Sequence, residues 1–200
     1  MLSVPSPRRA AGFTLVELMV TIALIAILLV IVVPSFGAWN ADARVRSVAE
    51  SLTNAIRQTQ SAAVANGRTS MFALTADTAP VVTSVPAANG PNWVAELAKL
   101  GGSDETQASL GVLLKSTEAT ANKVTITGPA LVCFNALGRQ TSLLSTANDL
   151  ATACTSTDPQ TYKVSRTGAS RYFNVLVYAG GRVRMCDAAK TLSSTNPDGC

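Results

Sequence analysis

The stretch Arg8–Pro34, RRAAGFTLVELMVTIALIAILLVIVVP, decides the fold. Two arginines and the small residues Ala10, Ala11 and Gly12 precede an apolar run from Phe13 to Val33, whose polar members are Thr14, Glu17 and Thr21. As a helix rising about 1.5 Å per residue, the run measures about 30 Å, the thickness of a bilayer's hydrocarbon core. After Arg8 and Arg9 no Lys or Arg follows until Arg44. The positive-inside rule therefore predicts a cytoplasmic N-terminus and an exported remainder. A secretory signal has a shorter apolar core and a small-x-small cleavage site after it. Here the small residues come first, and Val32-Val33-Pro34 offers no such site. Cleavage ahead of the run would remove the basic leader and leave the helix on the mature chain.

Glu17 needs a reason to be there, because a carboxylate at depth costs about 2.5–3.5 kcal/mol on insertion scales. Gly12-Phe13-Thr14-Leu15-Val16-Glu17, followed by the apolar helix and Pro34, resembles the class III signal of type IV pilins and type II secretion pseudopilins. The resemblance implies that prepilin peptidase cuts between Gly12 and Phe13 and N-methylates the new terminus at Phe13. The ammonium so created would lie one helical turn from Glu17, on the same face. In a filament, Glu17 of one subunit would reach the amine of its neighbour. The pair would select axial register, as a buried polar pair does in a coiled coil. A membrane anchor with an acid near the interface is the plainer alternative.

Pro34 removes a backbone donor and is expected to kink the helix without ending it. Apolar residues recur at Val45, Val48, Leu52, Ile56 and Ala63, with Ala55 beside them, in steps that share one helical face. Arg44, Arg46, Glu50 and Arg57 fall mostly elsewhere. Asn66-Gly67 is a stop signal. One helix from about Phe13 to Asn66 would be about 80 Å long. Beyond it the pattern turns to strands. Thr69–Thr75, Val81–Val85 and Val112–Leu114 are short candidates, and Lys123–Phe134 is a stronger one. Tyr162–Val164 reads as an edge strand. Tyr172–Tyr178, the Gly180-Gly181 turn and Arg182–Cys186 read as a hairpin. A short helix is expected around Trp93–Leu100.

The fold class expected is α+β, a long N-terminal helix packed on an antiparallel β-sheet domain. Its parts are a cleaved leader at 1–12, a transmembrane half at 13–33, an amphipathic half at 34–66 and a periplasmic domain at 67–200. Leu131-Val132-Cys133-Phe134-Asn135-Ala136-Leu137-Gly138-Arg139 and Gly181-Arg182-Val183-Arg184-Met185-Cys186 look like two late blocks of the GspH/FimT/FimU group of minor pilins and pseudopilins. That resemblance implies the pilin fold and a noncatalytic subunit at the tip of a type IV pilus, or its counterpart in type II secretion. The implied partners are other minor and major pilins or pseudopilins, the prepilin peptidase, an inner-membrane assembly platform and the lipid bilayer. The implied location is the inner membrane, crossed once, with the globular domain in the periplasm and at the filament tip after assembly.

The 200 residues suit one domain plus an appendage, and the net charge of +4 announces no nucleic-acid partner by itself. No His is present, which removes the usual catalytic base and the commonest metal ligand. Four cysteines allow three pairings. Cys133–Cys154 and Cys186–Cys200 are favoured because each closes a short loop rich in small polar residues. Each bridge would add about 3 kcal/mol. Reduced buried cysteines are the alternative. Disulfides would place the domain outside the cytoplasm.

An enzyme is not expected, and no cofactor is implied. Asp104-Glu105 point apart, and Gly101-Gly102-Ser103 lacks the lysine of a phosphate loop. Asp187 and Asp198 could offer two oxygens to calcium but read better as solvated carboxylates. Lys163, Arg166, Arg171, Arg182 and Arg184 occur in a span without acids. Arg182 and Arg184 alternate on a strand, with Tyr172 and Tyr178 close in sequence. Such a set suits phosphates and bases. Gly-Arg-Val-Arg also resembles an element linked to DNA capture by transformation pilins, which makes DNA a further candidate partner. The structural alternative has these arginines bonding loop carbonyls, pairing with Asp187 or docking on neighbouring subunits.

Overall fold

The computed structural model describes residues 12–100, 104–143, 153–154 and 159–200, without the side chains of 31–35. The leader ahead of Gly12, with Arg8 and Arg9, lies outside the described residues, as does Gly101-Gly102-Ser103. The chain divides into one unit ending at Gly37 and a second spanning Ala38–Cys200. Helix α1(Leu15–Asn66) begins in the first and ends in the second, and it does not stop at Pro34. Within the first unit the apolar side chains from Leu15 to Val30 are exposed. Among the described residues no helix is long and apolar enough to cross a membrane.

In the second unit, the predicted stripe of α1 is buried. Val45, Val48, Leu52, Ile56 and Ala63 have no exposed surface, and Ala55 has little. Arg46, Glu50 and Arg57 are exposed. The helix ends as Asn66-Gly67 predicts. Gly67 takes φ +62°, its N–H donates to Val64 O, and Arg68 N–H reaches back to Ala63 O. This is the double bond of a Schellman end, which favours glycine for its left-handed backbone.

Among the described residues nine strands form two antiparallel sheets, where one was expected. The first holds β1(Ser70–Thr75), β2(Asn92–Leu97), β3(Val112–Ser116), β5(Leu131–Phe134) and β6(Gln140–Thr141), in the order β3-β2-β1-β5-β6. The second holds β4(Thr125–Thr127), β7(Gln160–Ser165), β8(Phe173–Val177) and β9(Val183–Asp187), in the order β4-β7-β8-β9. Two single-turn helices, α2(Gln107–Leu110) and α3(Glu118–Ala121), complete the set. The fold class is α+β, as the sequence indicates.

Several elements differ from expectation for physical reasons. Trp93–Leu100 is no helix, since Asn92–Leu97 is strand β2. Its helix-favouring Ala, Glu and Leu are overridden by pairing with β1 on one side and β3 on the other. Val81–Val85 lies between two prolines and folds as a turn, with Ser84 N–H donating to Val81 O. Lys123–Phe134 breaks at Gly128-Pro129 into β4 and β5, which belong to different sheets. Tyr162–Val164 is interior, flanked by β4 and β8.

One core joins the α1 stripe to the inner faces of both sheets, through Phe72, Trp93, Val132 and Phe134 of the first and Ile126, Tyr162, Val164, Val175 and Val177 of the second. Phe72 and Tyr162 meet edge to face at 6.0 Å between centroids. A second cluster of Met71, Ala73, Val94, Leu131, Cys133 and Cys154 covers the opposite face of the first sheet. Cys133 and Cys154 are disulfide-bonded there, and Cys186 is bonded to Cys200. Strand β1 is therefore buried on both faces, whereas β7 alternates buried and exposed.

One helical side chain ties both sheets to α1. The Gln60 side-chain amide donates to Gly138 O (2.6 Å) and Gly181 O (2.8 Å), and Gln140 N–H donates to Ala179 O. Gly181 sits at φ +89°, and a Cβ there would collide with the Gly138 carbonyl. Gly181→Ala is expected to lose at least about 2 kcal/mol, read as a lower unfolding midpoint of the detergent-solubilised chain.

Glu96 of β2 has no exposed surface, and neither of its carboxylate oxygens has a hydrogen-bond partner among the described residues. Burial pushes its carboxyl up to about 7, offset in part by the nearby Gln107 side chain. A folded-state value above the unfolded one means that this stability is fully present below about 4.5 and is lost as pH rises through about 7. Unfolding curves across that window should show a loss of about 3 kcal/mol in the parent chain that is missing from Glu96→Gln. Parallel pH profiles for the two would refute the assignment.

Candidate functional site

Gly12, Phe13 and Thr14 precede α1 and are exposed, Phe13 at 83%. The bond between Gly12 and Phe13 is thus neither helical nor packed. Thr14 closes the open end of the helix: its hydroxyl oxygen accepts from Glu17 N–H at 3.2 Å, and its carbonyl accepts from Leu18 N–H. Thr14-Leu15-Val16-Glu17 is the T-x-x-E spacing of a capping box, a local signal that sequence reasoning passed over. Glu17 also stands in the first turn, where the helix dipole favours an anion. Its carboxylate therefore belongs at this terminus with or without a partner from another chain.

The cations singled out in the sequence differ in their partners. In the second sheet, successive side chains alternate between core and outer face. The register Thr161↔Leu176↔Arg184 puts Arg184 on the outer face with Thr161, and Lys163 shares that face two residues on. Lys163 Nζ lies 4.6 Å from the Tyr172 ring centroid, and the Arg182 guanidinium 4.2 Å from that of Tyr178. Arg184 donates to Pro197 O (3.2 Å) and Gly199 O (2.6 Å), the carbonyl bonding foreseen as the structural alternative. Arg166 and Arg171 lie in the β7–β8 connection. Arg171 Nη1 is 3.9 Å from Asp187 Oδ2. That pairing was foreseen for Arg182 or Arg184, and the register gives it to Arg171 instead.

The same connection is pinned to α1. Asp42 accepts from Ser170 N–H (2.7 Å), Ser170 Oγ–H (2.5 Å) and Arg171 N–H (3.0 Å). Partial burial raises the Asp42 carboxyl. The Ser170 hydroxyl, the two backbone N–H groups and the Arg171 charge outweigh it, and the group sits below its ordinary range.

Asp187 and Asp198 are not a pair of solvated loop acids. Asp187 is buried and accepts from Ala189 N–H, while exposed Asp198 pairs with Lys190 at 2.6 Å, a contact that lowers its carboxyl. Their backbones meet through Asp187 N–H to Asp198 O. Among the described residues no group of three or more His, Cys, Asp or Glu side chains could hold a metal ion. Glu105 pairs with Arg68 at 2.8 Å.

Sequence reasoning missed Arg57. It projects from α1 beside Arg182 and Arg184, and its Nη2 donates to Val183 O at 3.0 Å. The three arginines, with Glu50, Thr53, Asn54 and Met185, line a groove of about 550 Å³ between α1 and β9. No local signal announces this, because the contact spans 126 residues.

Residues 7–33 match the model of the prokaryotic N-terminal methylation motif. No curated protein matches the sequence. Among solved structures, the chain is similar to the type IV minor pilin FimU of Pseudomonas aeruginosa in two crystal forms. The first shows 16% identity and a TM-score of 0.47, over 73% of this chain and 90% of that one. The second shows 16% identity and a TM-score of 0.45, over 72% of this chain and 94% of that one. The N-terminal segment of this chain thus carries the prokaryotic methylation motif.

Proposed function

We propose that the chain is a noncatalytic minor pilin of a type IV pilus, acting at the tip or in initiation. The observation that carries this reading is the methylation motif over residues 7–33, with an exposed Gly12-Phe13 bond and Glu17 in the first turn of α1. On this reading a prepilin peptidase cuts after Gly12 and methylates Phe13. The inner membrane stores the subunit through residues 13–33, and an assembly platform packs the helices into a filament. Glu17 then meets the Phe13 amine of a neighbour, which removes an unpaired charge from an apolar interior. Residues 67–200 form the periplasmic and tip-exposed part.

The equivalent pseudopilin of type II secretion shares this chemistry, and neighbouring genes for pilus or secretion components discriminate the two. The DNA-capture reading draws on Lys163, Arg166, Arg171, Arg182 and Arg184. It has less support, because Arg184 and Arg171 are engaged within the domain. Were DNA bound through phosphates, affinity would fall steeply between low and moderate salt.

Two measurements test the main reading. N-terminal mass spectrometry of the membrane-purified protein should find Phe13 first and methylated; a terminus retaining Arg8 and Arg9 would end it. Glu17→Ala should leave the protein in the membrane and lower its incorporation into fibres by about tenfold or more, the equivalent of one lost charge pair. Normal incorporation of that variant would overturn the pairing.

A further inference from the structure

Strand β9 is the outer strand of its sheet, and part of its free edge is open. Tyr178 N–H donates to Arg182 O across the hairpin, which fixes the alternation of the ladder. Leu176/Arg184 and Asn174/Cys186 are then the hydrogen-bonded pairs, and Val183, Met185 and Asp187 direct their backbone groups away from β8. The edge is closed at its two ends by the protein itself. Arg57 Nη2 takes Val183 O at one end, and at the other Asp187 N–H donates to Asp198 O while Cys200 N–H donates to Asp187 O. Between them the outward N–H and C=O of Met185 face the groove. An exposed, unpaired edge is a template for another strand. The side chains around it, Arg57, Arg182 and Arg184 against Glu50 alone, give the groove an excess of positive charge.

We propose that this groove receives an extended, carboxylate-bearing segment of a partner protein, which adds a strand to the four-stranded sheet at Met185. The backbone ladder would supply affinity, and alternate acidic side chains would meet Arg57 and Arg182. The proposal goes beyond the assembly reading and does not depend on the N-terminal motif, so either can fail alone.

The test uses the full chain in detergent micelles and three labelled probes followed by anisotropy: the peptide Thr-Glu-Thr-Glu-Thr-Glu, its Lys counterpart, and a single-stranded oligothymidylate of matching length. The acidic peptide should bind and the basic one should not. N-methylation of alternate peptide residues, which deletes ladder hydrogen bonds without touching the protein, should weaken binding about tenfold. Arg57→Ala with Arg182→Ala should weaken the acidic peptide by a similar factor. Equal binding of the methylated peptide, or of acidic and basic peptides, would overturn the proposal. So would binding of the oligonucleotide alone, which would assign the groove to nucleic acid.

Discussion

The Gln60 amide joins the two sheets to the helix they share. Its nitrogen donates to the carbonyls of Gly138 and Gly181, one turn from each sheet. A Cβ at Gly181 would collide with the Gly138 carbonyl and the Gln60 amide, one at Gly138 would crowd Val64 and Gln60, and both glycines have positive φ. The two glycine-bearing blocks of the sequence are thus two halves of one socket for a helical glutamine. Around this point α1 buries its stripe, and the inner faces of both sheets close over it.

The same helix changes character along its length. Its N-terminal part exposes apolar side chains on all sides, which in water has no stabilising partner. Its second part buries only one stripe and leaves Arg46, Glu50 and Arg57 outside. Exposed charge is what brings Arg57 to the edge of β9, so the polar face of α1 shapes the groove as much as the strand does. Asp42 acts similarly from the same helix, holding the β7–β8 connection by three hydrogen bonds.

Legibility followed periodicity. The α1 stripe has a clean period of 3.6, the β8–β9 hairpin has strand-favouring residues around a Gly-Gly turn, and both are readable. Strand β2 was not, because a strand buried on both faces shows no alternation and Trp-Val-Ala-Glu-Leu reads as well as a helix. The division into two sheets was hidden in Gly128-Pro129, a break that looks like a bulge within one strand. At the site, the Gly12–Glu17 motif was legible because its residues are contiguous. The Thr14 cap was encoded in the same letters, in the Thr-x-x-Glu spacing. Arg57 was out of reach, since nothing local links a helix residue to a strand edge far along the chain. The five late cations were counted together from proximity in sequence, whereas the fold sends them to different surroundings.

The double burial of β1 bears on the order in which the molecule comes together. Its partners are β2 and the much later β5, and the bond from Gln60 to Gly181 spans 121 residues. Contacts so distant along the chain make for slow acquisition of structure, since long loops close before the contacts reward them. The stripe of α1 meets its full set of core partners only once the last hairpin has emerged. If the N-terminal segment anchors the chain as proposed, a chain delivered N-terminus first is held there before its domain has a native state.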